Sequence, residues 1–186
     1  LALAVSEPEL FAHVVDQTFK VVCAAARTHG ATLRQFVLDD KGFVAILAIG
    51  LPPEFHEDGA ARALKLAGRL QDAARGGRGV ARARGGVGAT RVGITTGRCF
   101  CGPIGLSGVR QEFSLVGDAV NLAARLMAKC APNETRCDLA TREAAMAQAG
   151  WGFEECAPYV PKGKNEPVRS FRPRWNGYQP RGGGGG

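Results

Sequence analysis

The stretch EFSLVGDAVNLAARLM, Glu112 to Met127, joins two kinds of local structure. Phe113 to Val116 reads as a strand, Gly117 breaks it, and a helical pattern begins near Asp118. On that helix Val120, Ala123 and Met127 gather on one side, while Asn121 and Arg125 sit one turn apart on another. A solvated helix face usually carries Lys and Glu. Here an amide and a guanidinium stand beside Ala124 and Ala128, small neighbours that let a ligand approach closely. Arg offers a forked set of donors and keeps its charge, so the pair suits phosphate or ribose oxygens near a helix N-terminus.

Around this stretch the chain has the composition of a soluble globular domain: 186 residues, 45% hydrophobic and 22% charged. The longest apolar run, FVAILAIG (43–50), is too short to cross a bilayer, so no membrane is expected. No signal peptide is visible, and the missing initiator Met predicts a domain excised from something longer. The six cysteines include no CxxC pair, which removes metal-ligand spacing and predicts free thiols in a reducing, cytoplasmic setting. The net charge of +7 raises the question of nucleic acid. Much of it lies in a Gly/Arg-rich insertion at about 75–88 and in the tail, and the one apolar central strand carries only Phe43 for base stacking. No nucleic-acid partner is expected.

Working outward, Ser6 and Glu9 form a capping box, Pro8 suits a first turn, and Phe11, Val14, Val15, Phe19 and Val22 continue a helix that Gly30 ends. TLRQFVLDDKGFVAILAIG (32–50) reads as a hairpin turning at Asp39-Asp40-Lys41-Gly42. Its second strand is almost wholly apolar and is expected at the centre of a sheet, covered on both faces. HEDGAARALKLAGRLQDAA (56–74) is a second amphipathic helix. TRVGITTGRCFCGPIG (90–105) gives two short strands parted by a turn at Thr96-Gly97. A strand near TRCD (135–138), a helix over about 139–148, and strands near WGFEEC (151–156) and VRSFRP (168–173) complete the order. That order fits an α+β sandwich, one mostly antiparallel sheet with helices packed on one face. Residues 1–175 form the domain, and 176–186 a disordered Gly-rich tail.

LRQFVLDDKGFVAILAIGLP, RVGITTGRCFCGPIG and EFSLVGDAVNLAARL occur in this order, and together they resemble the class III nucleotidyl cyclase catalytic domain. The likeness is in particular to the second catalytic half of soluble, bicarbonate-responsive adenylyl cyclases, and runs from about Ser6 to Pro173. It implies a ferredoxin-like α+β domain that pairs head to tail with a second cyclase domain, from the same polypeptide or another chain, self-association included. ATP would lie at the interface and become cyclic AMP and pyrophosphate. Asn121 would orient the ribose and Arg125 would meet the charge developing on the α-phosphate. Ser114 falls at the purine-selecting position, its hydroxyl favouring ATP over GTP, and Arg34 or Gln35 at a second purine contact. Lys162 or Lys164 matches a triphosphate-binding lysine. A ciliary or flagellar setting and control by bicarbonate are implied by the resemblance alone.

The resemblance also implies two ions, Mg²⁺ or Mn²⁺, held on two aspartates of one half. The first such position lies before the first helix, where LALAV (1–5) has no carboxylate. Asp39 and Asp40 stand at the hairpin tip where the second would fall, yet turn chemistry accounts for both. This chain therefore reads as the purine-selecting half, with the ions held mainly by its partner. An inactive regulatory module and a guanylyl cyclase half are the competing expectations.

Overall fold

The computed structural model describes residues 8–39, 42–76, 90–148, 150–160 and 167–175. Helix α1 (Pro8–Thr28) buries Val22, Ala25 and Ala26, and Gly30, in the left-handed region at φ 66°, turns the chain into the first hairpin. That hairpin pairs β1 (Ala31–Asp39) with β2 (Gly42–Ile49), and Asp39 faces Gly42 across the predicted turn. Phe19 of α1 meets Phe36 edge-on at 5.2 Å, and Phe36 stacks on Phe43 at 5.6 Å, so aromatic packing fixes helix to hairpin.

The apolar β2 is not the central strand its composition predicts. Among the described residues it hydrogen-bonds to β1 alone, and all eight of its residues are half-buried. An unbroken apolar run shows that both faces of a strand shun water, but it does not name what covers them.

Helix α2 (Gly59–Gly76) leads towards the Gly/Arg-rich insertion, whose residues from 77 lie outside those described, as does the tail from 176. The ends of the insertion converge on one residue. Arg75 donates to the Asn133 carbonyl at 3.2 Å, and the Thr90 amide donates to Asn133 Oδ1 at 3.3 Å.

Four strands form the main ladder: β3 (Val92–Ile94), β6 (Thr135–Asp138), β8 (Ser170–Trp175) and β7 (Trp151–Glu155), in the order β3-β6-β8-β7. β3 and β6 are parallel; the other pairings are antiparallel. A separate hairpin pairs β4 (Phe100–Leu106) with β5 (Arg110–Val116). The class is α+β as expected, with its hydrogen-bonded ladder divided into three pieces rather than running through one sheet. Leu64 and Ala67 of α2, Ile94, Cys137, Phe171, and Ala145 of helix α4 (Leu139–Met146) make the buried core.

Helix α3 (Asp118–Lys129) approaches β3 from the side of Gly93, opposite to Ile94, because successive strand residues point to opposite faces. A Cβ on Gly93 would fall 2.0 Å from the Ala123 carbonyl oxygen and 2.6 Å from the Met127 amide. Only glycine lets the helix backbone sit this close, and Leu126, fully buried, anchors it there.

Candidate active site

Asn121 and Arg125 line a cavity of about 290 Å³ at the start of α3. Their spacing puts them on one stripe of the helix, as the sequence predicts. Asn121 is exposed and Arg125 half-buried. Arg125 has no ion-pair partner among the described residues, so its guanidinium is available to an anion.

The β3–β4 connection supplies the facing wall through Thr96, Gly97 and Arg98, and Asp138 and Val168 complete the lining with Asp118. These polar groups are held by short bonds. Thr95 Oγ1 donates to the Ala119 carbonyl at 2.8 Å, tying the end of β3 to the first turn of α3. Thr96 and Thr141 hydroxyls share a hydrogen at 2.9 Å. Asp138, 8% exposed, accepts from the Thr141 amide at 2.9 Å and so caps α4. Gly117 brings the β5–α3 junction within contact of the Arg98 carbonyl, where a Cβ would lie 3.0 Å away. The amides of Val120 and Asn121 both donate to the Gly117 carbonyl, and no side chain caps the helix.

Thr96, Arg98, Asp118 and Asp138 were not singled out from sequence. A capping signal was present in Asp138 followed three residues later by Thr141, but its nearness to Asn121 is a tertiary fact.

The residues expected at the purine side lie elsewhere. Arg34 is the extra residue of a β-bulge between Leu33 and Gln35. Its guanidinium donates to the Phe113 carbonyl at 2.6 Å and lies over the Phe113 ring at 4.4 Å. Arg34 thereby contacts the residue before Ser114; Ser114 itself is half-buried opposite Gly102 and donates weakly to the Glu112 carbonyl at 3.4 Å. Gln35 is exposed. Neither Arg34 nor Ser114 lines the cavity of Asn121 and Arg125.

Lys162 and Lys164 lie outside the described residues, as do Asp40 and the segment before Pro8; Asp39 closes β1. The carboxylates at the cavity are Asp118 and Asp138, and the second is engaged as a helix cap. Among the described residues no three His, Cys, Asp or Glu side chains gather as an ion cage, so this donor set does not by itself fit a pair of divalent cations. All six cysteines are free, and no helix among the described residues is long and apolar enough to cross a membrane.

The family described as "Adenylate and Guanylate cyclase catalytic domain" matches residues 57–169. Adenylate cyclase type 10 of Rattus norvegicus is 27% identical over 160 residues, which is 84% of this chain and 9% of the relative; the chain thus spans under a tenth of that protein. Among solved structures, the guanylyl cyclase Cya2 superposes with a TM-score of 0.76 at 25% identity, covering 90% of this chain and 81% of that one. The adenylyl cyclase CyaB from P. aeruginosa does so with a TM-score of 0.75 at 21% identity, covering 89% and 82%.

Proposed function

Because this chain belongs to the adenylate and guanylate cyclase catalytic domain family, we propose that it is the purine-selecting, transition-state-stabilising half of an adenylyl cyclase, completed by a second cyclase domain. The observation that carries this reading is the pairing, in one cavity on α3, of Asn121 with Arg125, which has no ion-pair partner among the described residues. The ribose 3′-oxygen of ATP attacks the α-phosphorus in line, and pyrophosphate leaves. Asn121 holds the ribose so that this oxygen faces the phosphorus. Arg125 meets the negative charge that gathers on the α-phosphate oxygens, and loss of one such donor slows catalysis by roughly 10²–10³. The two divalent cations, Mg²⁺ or Mn²⁺, belong in this proposal to the partner half.

Two further features support it. The β4–β5 hairpin exposes Phe100, Ile104, Leu106, Val109 and Phe113, a concentration of large apolar side chains that suits a partner domain rather than water. Arg34 reaches from the first hairpin to Phe113, the residue next to Ser114, which brings the two proposed base-reading positions into one region of the surface. The similarity to an adenylate cyclase type 10 favours ATP.

The test mixes the chain with a cyclase domain that carries the metal aspartates and follows cyclic AMP and cyclic GMP. Cyclic AMP formation that falls about 10²-fold in Arg125→Ala, with little change in KM, is the expected result. Cyclic GMP as the main product identifies a guanylyl cyclase half. A pair that assembles yet makes neither product identifies a regulatory module.

A further inference from the structure

Tyr159 carries a hydroxyl that the fold does not use. Its Oη is shielded from solvent and has no hydrogen-bond partner among the described residues. Leaving a buried hydroxyl unpaired costs stability, so its presence calls for a reason. Its surroundings supply one. Lys129, the last residue of α3, places its Nζ 5.3 Å from the Tyr159 ring centroid, so the ring faces that ammonium. One turn earlier on that helix stands Arg125, and residues four apart share a face. The Tyr159 carbonyl accepts from the Val168 amide at 2.8 Å, and Val168 lines the same cavity as Arg125. Tyr159 is thus linked to the neighbourhood of the cavity at two points, its ring at the Lys129 ammonium and its backbone at Val168.

We propose that the Tyr159 hydroxyl, unbonded among the described residues, becomes a positioning group for Arg125 when nucleotide binds: a rotamer change of the guanidinium lets the phenol oxygen accept one N–H while the remaining donors of the fork face the α-phosphate. The idea rests on the proposed cyclase reading. Arginine has donors only, and a guanidinium with no other partner would sample many rotamers; one fixed acceptor at its back restricts them. Burial raises the phenol pKa above its usual value, with Arg125 and Arg136 pulling the other way. The group therefore remains a neutral hydroxyl at physiological pH, with lone pairs for a guanidinium N–H and no charge to compete with the nucleotide for Arg125.

Tyr159→Phe keeps the ring under Lys129 and the backbone bond to Val168 while removing one oxygen. In the reconstituted pair it should lower kcat roughly tenfold with KM nearly unchanged. Thermal melting of the variant chain should match or exceed that of the parent, since an unpaired buried hydroxyl has gone. In an Arg125→Lys background the same change should have little further effect, because the group it positions is already lost. A wild-type kcat in Tyr159→Phe, or a full tenfold loss on top of Arg125→Lys, overturns the assignment and leaves the cyclase reading intact. A wild-type pair that assembles and yields no cyclic nucleotide overturns both.

Discussion

The Arg34 guanidinium bonds the Phe113 carbonyl at 2.6 Å and covers the ring of the same residue at 4.4 Å. It joins β1 to β5, two strands that share no ladder, at the residue before Ser114. The bulge at Arg34 makes this reach available, since a residue outside the pairing register is free to aim its side chain away from the hairpin.

Arg34→Ala should therefore act on nucleotide recognition before chemistry. The expected outcome is a rise in KM for ATP of about tenfold, with a smaller change in kcat, the size of one lost charge-assisted contact. Steady-state kinetics of the reconstituted pair with ATP and GTP check it. An unchanged KM for both nucleotides would remove Arg34 from base reading.

Gly93→Ala should uncouple the domain from its chemistry. The new methyl would meet backbone atoms of Ala123 and Met127 rather than a flexible side-chain end, so α3 must move. Overpacking of this kind costs about 1–3 kcal/mol. Urea denaturation reads the loss of stability, and the cyclase rate should fall further than the folded fraction, because Asn121 and Arg125 travel with the helix.

Glu134 joins three donors. Arg136 Nε reaches it at 2.8 Å and Arg172 Nε at 2.5 Å, and the Ala131 amide is bonded to its other oxygen. Burial pushes the Glu134 pKa up, but the bonds from Arg136, the Ala131 amide and Arg172 outweigh it and leave the carboxyl below its ordinary value of 4.5. A depressed folded-state pKa stabilises the fold above the unfolded-state value, and that contribution is lost as pH falls through the folded one. Glu134→Ala should cost roughly 3 kcal/mol at pH 7, since two guanidinium groups lose a common partner. The difference from the parent should shrink as pH drops below 4.5. Denaturation curves at pH 7 and in acid measure both.

The thiols should separate by burial. Cys137 is pushed up to about 12, first by burial and then by Asp138 and Cys156. Cys130 is pushed up to about 11, first by burial and then by Glu134. With Cys156 they are buried, whereas Cys99 is exposed. A thiol reagent at pH 8 should label Cys99 in the native protein and reach Cys130, Cys137 and Cys156 only in denaturant. Fast labelling of Cys137 in the native state would contradict its place in the core.

Local periodicity made most elements legible, because a helix or hairpin repeats its pattern over neighbouring residues. The spacing of Asn121 and Arg125 carried over directly into a shared cavity wall. What the pattern lacks is the other wall. Thr96, Asp138 and Val168 come from three separate segments of the chain, and only folding brings them to α3. Tyr159 was invisible for a related reason: an unpaired hydroxyl is defined by what surrounds it, and one residue in an irregular segment has no period. β2 shows the converse, where a strong local signal overstated its burial because sheet neighbours are not written in the strand itself.

Asn133 holds Arg75 by its carbonyl and Thr90 by its side chain. With both stems fastened to a single residue, Asn133 fixes the span that any chain between them has to close. Doubling such a loop adds only about 0.6 kcal/mol of closure entropy. The stretch between Arg75 and Thr90 is accordingly a natural port for a grafted reporter or affinity peptide.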